Sequence, residues 1–458
     1  MEKVIRRVLR KISPSKKESD DIRKISLSFL GAVRKYADKY SAETILAGSI
    51  TRNTWLKDKK EIDIFIALPE SVSESQLEKI GLSVGKAAIK SLGGRYVISF
   101  AQHPYVRGRV GKYEVDIVPC YNLSSAEKIK SAVDRTPFHV RFIENNMDSK
   151  QSDDVRLLKQ FCKSIGVYGA DLKTEGIPGY LCDLLVIKYG SFASAIKAIS
   201  EWKPGHAIRF NDAKSDSKFE QQPFILIDPV DPKRNVAAAL SPRNFEKLVR
   251  SANAFCEKPS EKFFSIQAKR PMEKYEFVKL IKARKTRVIS ITFKPPKTVP
   301  DILWPQLRRA TERIAGMLRE NDFRAMKHAS WTDENKTAVI LLEMEVFRLP
   351  DVKKMTGPSV FAHANARNFI ERYDVSNTKP YIEGVNWMAE IKRKYTDASA
   401  YVKIKLSQNR KTLADMGIPS HIADAMSGGF KVNEDGDLYE VINSNKGAKA
   451  FVRDFFGR

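Results

Sequence analysis

At 458 residues with 42% hydrophobic side chains, the chain is too long for one compact core and has the composition of a globular protein of about three domains. No apolar run approaches the roughly 18 residues needed to span a bilayer, and the basic start MEKVIRRVLRK is followed by no apolar signal region, so a membrane protein is excluded and a cytoplasmic location is expected. Eighty Lys and Arg against 55 Asp and Glu leave a net charge of +25, which favours a polyanionic partner without choosing among RNA, DNA and anionic lipid.

Ile22, Ile25, Phe29, Val33 and Tyr36 recur at steps of three and four, which predicts an amphipathic helix over residues 20–40. The stretch that follows, LAGSITRNTWLKDKKEIDIFIALP (46–69), reads as a short apolar strand closed by Gly48-Ser49, a helix-sized segment bearing Arg52, and a second strand that starts at Glu61. Alternation places Glu61, Asp63 and Phe65 on one face of that strand and Ile62, Ile64 and Ile66 on the other. Two like charges about 4 Å apart repel by about 4 kcal/mol at an effective dielectric of 20. A divalent cation removes that penalty, and carboxylate oxygens favour Mg²⁺, which fills its other positions with phosphate and water. An isolated E-x-D is more often the solvated start of an edge strand. Here the residues ahead of it shift the balance. Gly48 lets backbone approach a ligand closely, the Ser49 hydroxyl suits a phosphate, and Arg52 one turn on adds a fixed cation.

A helix is predicted over 75–92, stopped by Gly93-Gly94, then strands over 96–101, 105–110 and 113–119, the last two joined at Gly111-Lys112. In the third of these Glu114, Asp116 and Val118 share a face. Asp116 is the natural third carboxylate, flanked by the anchoring Val115 and Ile117, and Glu114 is the competing choice. His139 in DRTPFH (134–139) is, taken alone, more often a structural histidine. Ser152 is the expected N-cap of a helix that buries Val155, Leu158, Cys162 and Ile165. Lys159 lies at the margin of that stripe, able to reach a phosphate or to snorkel to solvent, and Tyr168 could simply pack at a domain edge. A polar loop is expected over 211–222. Cys120, Cys162, Cys182 and Cys256 are widely spaced with no C-x-x-C pair, which points to buried free thiols.

From Thr286 the pattern changes. Strand 288–293, helix 301–320 and strands 323–331 and 337–347, the last two joined through Asp333-Glu334-Asn335, have the order of half a ferredoxin or RNA-recognition sheet. Neither aromatic RNP signature is present, so the sheet is expected to be a rigid platform for structured RNA and not a base-stacking surface. A turn and basic amphipathic helix follow over 357–373, and YIEGVNWMAEIKRKY and YVKIKL are expected to be strands rich in Lys and Arg.

Gly48-Ser49, Arg52, Thr54 and Glu61-Ile62-Asp63 resemble the signature of the DNA polymerase β-type nucleotidyltransferase superfamily, and within it the wording is similar to the archaeal, class I, CCA-adding tRNA nucleotidyltransferases. Asn53 stands where many superfamily members have glycine, and Glu61 where many have aspartate, the latter as is usual in the archaeal group. The phrase VDIVPCY resembles the family at its third acid, which selects Asp116. DRTPFH resembles the segment between catalytic head and helical neck, which implies that His139 contacts the nucleotide. VRLLKQFCKSIGVYGADLKTEGIPGYLCDLLVIKYGSF resembles the neck, which implies that Lys159 and Tyr168 bind triphosphate or ribose, and Arg234 in IDPVDPKRNVAAALS corresponds to an arginine that helps read the incoming base. A planar guanidinium can give a base edge two parallel hydrogen bonds, whereas a surface arginine closing an ion pair is the plainer alternative.

The resemblance implies an α+β multidomain fold: a polymerase β-like head with a mixed sheet (1–150), a mainly helical neck (151–265), and a ferredoxin/RRM-like body with a basic α/β tail (266–458). It implies template-independent addition of C, C and A to the 3′ end of tRNA from CTP and ATP with release of pyrophosphate. Glu61, Asp63 and Asp116 would hold two Mg²⁺ ions, and Ser49, Arg52, His139, Lys159 and Tyr168 would bind ATP or CTP. The implied partners are tRNA, through its acceptor and T arms, and the two nucleotides, with homodimer formation left open. Two rival readings remain at this stage: a poly(A) polymerase or oligoadenylate synthetase-like enzyme, which would share head and neck, and a noncatalytic structured-RNA-binding protein.

Overall fold

The computed structural model describes residues 1–57, 61–100, 102–210, 219–267, 269–374 and 378–457. The chain divides into two compact units, Met1–Gln267 and Ala268–Arg458. Among the described residues no helix is long and apolar enough to cross a membrane.

The first unit opens with α1 (Glu2–Ile12) and α2 (Lys16–Ala37), then alternates β1 (Glu43–Ala47), α3 (Gly48–Thr51), β2 (Glu61–Pro69), α4 (Glu74–Ser91), β3 (Arg95–Phe100), β4 (Pro104–Val110) and β5 (Tyr113–Asn122). The strands form one sheet in the order β1-β2-β5-β4-β3, in which β2 and β5 run parallel and the other pairs antiparallel. It is the expected mixed sheet. The periodic apolar side of β2, with Ile62, Ile64, Ile66 and Leu68, is fully buried under Phe29 and Val33 of α2 and Leu77, Val84 and Ala88 of α4. Burial of each such side chain is worth about 1.5–3 kcal/mol, so one face of the strand is held by its isoleucines, while the other carries Glu61 and Asp63 before Phe65 and Ala67 enter a second apolar cluster. Both covering helices begin at a capping box, Ser15 with Glu18 and Ser73 with Gln76, which satisfies amide groups that the first turn leaves unbonded.

The remainder of this unit is mainly helical: α5 (Arg135–Asn146), α6 (Ser152–Ser164), α7 (Gly179–Tyr189), α8 (Phe192–Ser200) and α9 (Pro242–Glu257), with a small parallel pair β6 (His206–Ile208) and β7 (Phe224–Leu226). Its core joins Val4 and Val8 of α1 to Phe161, Phe192, Phe255 and Phe264. Of the expected polar loop, residues 211–218 lie outside the described residues. Ser152 does not cap α6 as expected. A 3-10 turn precedes it, Ser152 becomes the first helical residue, and its hydroxyl donates instead to the carbonyl of Arg52 at 2.9 Å.

In the second unit α10 (Lys274–Arg284) precedes β8 (Arg287–Phe293), α11 (Pro300–Arg319), β9 (Arg324–Thr332) and β10 (Ala338–Val346). An insertion carries β11 (Val352–Ser359), α12 (His363–Tyr373), β12 (Tyr381–Glu383), β13 (Asn386–Lys392), α13 (Ala398–Leu406) and α14 (Arg410–Asp415) before α15 (Ser420–Ser427) and β14 (Phe430–Glu434). The main sheet has the order β14-β8-β10-β9, antiparallel throughout, so the half pattern legible in the sequence is completed to βαββαβ by α15 and β14. Both faces of β10 are covered. Ile340, Leu342 and Met344 pack in the cluster of α11, while Val339 and Leu341 pack with Phe277, Tyr439 and Phe451. A sheet covered on both sides has no face on which bases could stack.

YVKIKL is a correction to the expected strand: it lies in helix α13. Its alternating Val, Ile and Leu suggested a period of two, but the Asp397 side chain accepts from the Ala400 amide and starts a helix. Ala398, Tyr401, Val402 and Leu406 then form the buried stripe, and Ile404 points to solvent. Of the cysteines, Cys120, Cys162 and Cys182 are buried and Cys256 is partly so, all as free thiols.

Candidate active site

The parallel pairing of β2 with β5 sets Glu61 opposite Glu114 and Asp63 opposite Asp116. Side chains at paired positions of a sheet point to the same face, so Glu61, Asp63 and Asp116 share the side away from the isoleucine core. Asp116 is the acid level with Asp63, and Glu114 lies one step back beside Glu61. Across β4, Arg107 is the partner of Asp116 and grips both its oxygens, Nε to Oδ1 at 2.7 Å and Nη2 to Oδ2 at 2.6 Å. This contact raises the guanidinium above its ordinary range, and the Tyr105 hydroxyl accepts a further bond from Nη2 at 2.9 Å.

On the other edge, Ala47 at the end of β1 is level with Asp63, and the chain turns at once into the single helical turn α3. Gly48 has φ +79, and a Cβ there would lie 2.1 Å from Oδ2 of Asp63. The residue must therefore be glycine twice over, for its backbone angle and for the space its absent side chain leaves to the carboxylate. The helix-sized segment is shorter than expected: Arg52 is already the C-cap of α3, and Asn53 follows at φ +52. Asparagine is one of the few L-residues that enter this region readily, which suits it to this position.

One face of α6 stitches this loop in place at steps of four and three. Ser152 bonds the Arg52 carbonyl, Arg156 bonds the carbonyls of Asn53 and, at 3.1 Å, Trp55, and the Lys159 ammonium donates to the Thr54 hydroxyl at 2.9 Å. Lys159 does not snorkel. It is buried, and its Nζ lies 3.1 Å from Oδ1 of Asp183 on α7, whose Oδ2 lies 2.8 Å from Nη2 of Arg52. Burial pushes the Lys159 ammonium down from its ordinary range and the Asp183 charge opposes that shift. Gly179 at the start of α7 leaves room for Tyr168 and Lys159, since a Cβ there would lie 3.0 Å from the tyrosine hydroxyl and 3.4 Å from Lys159 Cε. Burial raises the Tyr168 phenol above its usual range.

These elements enclose a cavity of about 210 Å³ lined by the predicted Ser49, Arg52, Glu61, Asp63, Lys159 and Tyr168, with Gly48, Gly179 and Tyr180. Wider hollows of about 640 and 560 Å³ flank β14 in the second unit and contain none of the predicted residues.

His139 and Arg234 belong to an adjoining cluster built on Asp228, a fully buried carboxylate. His139 Nε2 donates to Oδ2 at 2.9 Å, Arg234 Nη1 to the same oxygen at 2.8 Å, and the Val230 amide and Tyr180 hydroxyl to Oδ1 at 3.0 and 3.3 Å. The rings of His139 and Tyr180 stack with centroids 4.0 Å apart, which links the cluster to the cavity wall. Burial works to raise the Asp228 carboxyl, and the bonds from His139, Val230 and Arg234 outweigh it and hold the group below its ordinary range. Around pH 4 and below, the unfolded chain therefore binds more protons at this position than the native one, so the stability it contributes is present above its unfolded pKa and is lost as pH falls. Asp228→Asn is expected to flatten the acid limb: the melting temperature of the wild type should fall more steeply between pH 5 and 3 than that of the variant, measured by circular dichroism.

Asp183, Asp228, Arg107 and Arg156 are not singled out by sequence, and Ser152 only as a helix cap. The signal for Asp183 was present, a lone acid in the otherwise apolar YLCDLLVIKY, where burial demands a partner. Among the described residues a separate group, Glu74, Glu78 and His103, offers three ligand atoms within 4.8 Å of one another. It shares no residue with the predicted acids.

Models of known families match along most of the chain. A nucleotidyltransferase domain matches residues 28–139, and the sheet with its cavity lies in and beside that span, which makes the protein a nucleotidyltransferase. The second domain of tRNA nucleotidyltransferases matches residues 153–265, and the C-terminal domain of CCA-adding enzymes residues 284–435. Curated CCA-adding enzymes are similar over nearly the whole length: that of Methanosarcina acetivorans at 37% identity over 94% of this chain and 93% of its own, that of Methanosarcina mazei at 36% over the same shares, and that of Methanocaldococcus jannaschii at 35% over 95% and 97%. The chain belongs to the CCA-adding enzyme family.

Proposed function

We propose that this enzyme adds C, C and A in turn to the 3′ end of tRNA, taking CTP and ATP and releasing pyrophosphate without a nucleic-acid template. The observation that carries the reading is the β2–β5 register, which aligns Asp63 with Asp116 on the face of Glu61, next to a glycine turn and two buried cations. Three hard oxygen donors on one face, with a glycine where any Cβ would take the space of an Asp63 oxygen, fit a divalent cation. Glu61, Asp63 and Asp116 would hold two Mg²⁺ ions, which when bound lower the pKa of the terminal ribose hydroxyl and neutralise charge on the departing pyrophosphate.

The chain's own residues orient the substrate. Ser49, Arg52, Lys159 and Tyr168 line the cavity and are suited to grip the triphosphate, fixing the α-phosphorus for in-line attack. His139 and Arg234 are held by Asp228 beside Tyr180, an arrangement that suits a ribose contact and a planar donor pair for the base edge. On this reading residues 1–150 act as catalytic head, 151–265 as neck and 266–458 as the RNA-binding body and tail, the last measuring the shape of the acceptor and T arms through phosphates.

Incubation of tRNA lacking its terminal triplet with all four NTPs tests the reaction. Three added residues in the order C, C, A followed by arrest are expected. A lengthening adenylate tract would favour the poly(A) polymerase reading, and no incorporation into any RNA the noncatalytic one. Because the net charge of +25 is the basis of the RNA contact, tRNA affinity should fall by at least about tenfold between 50 and 200 mM salt, read by filter binding or fluorescence anisotropy. A flat response would reject contact through phosphates.

A further inference from the structure

Arg52 and Lys159 come from distant parts of the chain, the loop after α3 and the middle of α6, yet both line one small cavity. Two cations brought together in a buried place repel each other and lose hydration. Lys159 is nearly inaccessible and the Arg52 side chain is only 10% exposed. Asp183 lies between them, fully buried, one oxygen toward each, at 3.1 and 2.8 Å. Both contacts lie within ion-pair distance, so Asp183 draws the two cations together by charge. The buried Nε of Arg52 has no hydrogen-bond partner among the described residues. The carboxylate itself comes from α7, whose first residue, Gly179, also makes room for Tyr168.

We propose that Asp183 is a positioning residue for the nucleotide triphosphate: it ties the Arg52 guanidinium to the Lys159 ammonium and holds the two cations side by side, facing the cavity, before substrate arrives. The inference rests on the nucleotidyl-transfer reading of the cavity and adds to it a residue that touches no substrate. Without the carboxylate, Lys159 is a buried cation beside the Thr54 hydroxyl and a like-charged arginine, the condition in which a lysine gives up its proton. Arg52 loses its fixed direction at the same time. Other groups that face Lys159 are the neutral Tyr168 and the Cys182 thiol, and neither replaces the lost charge.

The test uses the full chain and inorganic tripolyphosphate, titrated calorimetrically in EDTA so that only the protein's cations respond. Asp183→Asn, which keeps the shape of the side chain, should bind tripolyphosphate at least tenfold more weakly than the wild type while melting cooperatively above the assay temperature. With Mg²⁺ and tRNA, KM for CTP and ATP should rise by a similar factor and kcat should stay within a few-fold. A purely packing role would lower the melting temperature and leave both affinities alone. Should Asp183→Asn fail to fold, Lys159→Met combined with Asp183→Asn removes a charge pair together. Its tripolyphosphate affinity should fall threefold or more below that of Lys159→Met alone, through the loosened Arg52. Unchanged or tighter binding by a folded Asp183→Asn, or no loss in the double variant, overturns the inference. A wild type that binds tripolyphosphate but adds nothing to tRNA overturns the functional reading and not the tie.

Discussion

Asp63→Ala and Asp116→Ala should each abolish nucleotide addition, with turnover at saturating substrates down by at least about a thousandfold, while tRNA affinity stays within several-fold of wild type. The two effects separate because they arise in different places. Asp63 and Asp116 are level with each other on one face of the sheet, and on the proposed reading loss of either leaves too few oxygens to hold the Mg²⁺ ions that would offset the charge of an attacked triphosphate. Affinity for a large polyanion is spread over many lysines and arginines, of which this change removes none. Asp116→Ala also releases Arg107 from its paired contact, so Arg107→Ala is the control: it should leave far more activity than loss of the acid it holds. Near-normal turnover with Mg²⁺ in either aspartate variant would remove these acids from the chemistry.

Gly48→Ala is the second large effect, and it comes from a single added carbon. The methyl group would start 2.1 Å from Oδ2 of Asp63, so either the carboxylate swings away or the turn into α3 shifts. The φ of +79 adds about 1–2 kcal/mol of strain for any L-residue with a Cβ. A displacement of about 1 Å at a reacting centre costs on the order of a hundredfold in rate, so kcat should fall by that factor or more. The melting temperature should drop by only a few degrees, because the isoleucine face of β2 is untouched. Loss of folding with no kinetic defect in the remaining native fraction would contradict this account.

Where a residue's role follows from its immediate neighbours, the sequence was legible. EIDI alternates, and the resulting strand has its acids on one side and its isoleucines at zero exposure on the other. Ser49, Arg52, Lys159 and Tyr168 do meet at one cavity, and the family resemblance that brought them together is supported by relatives over nearly the whole chain. What stayed hidden depends on register and on distant partners. Nothing local to Asp116 says that it will be level with Asp63, which takes a parallel pairing across the intervening α4, β3 and β4. Asp183 sits in a helix apolar on every side, where periodicity marks no face, and its two counter-charges lie on other elements. Arg107 reads as one more surface cation until β4 is laid beside β5. YVKIKL misled for the opposite reason: a short alternation outweighed a capping aspartate just ahead of it.

The second unit carries its own constraint on how it is made. Phe430 of β14 lies beside Phe293 of β8, with β9 to β13 and five helices between them in the chain. During synthesis β8 must wait with one edge unpaired until β14 has left the ribosome, and closing so long a loop is a slow step. An open strand of buried side chains is also the kind of edge that associates with other nascent chains. The yield of native protein should thus be governed late, by the arrival of five residues near the C-terminal end.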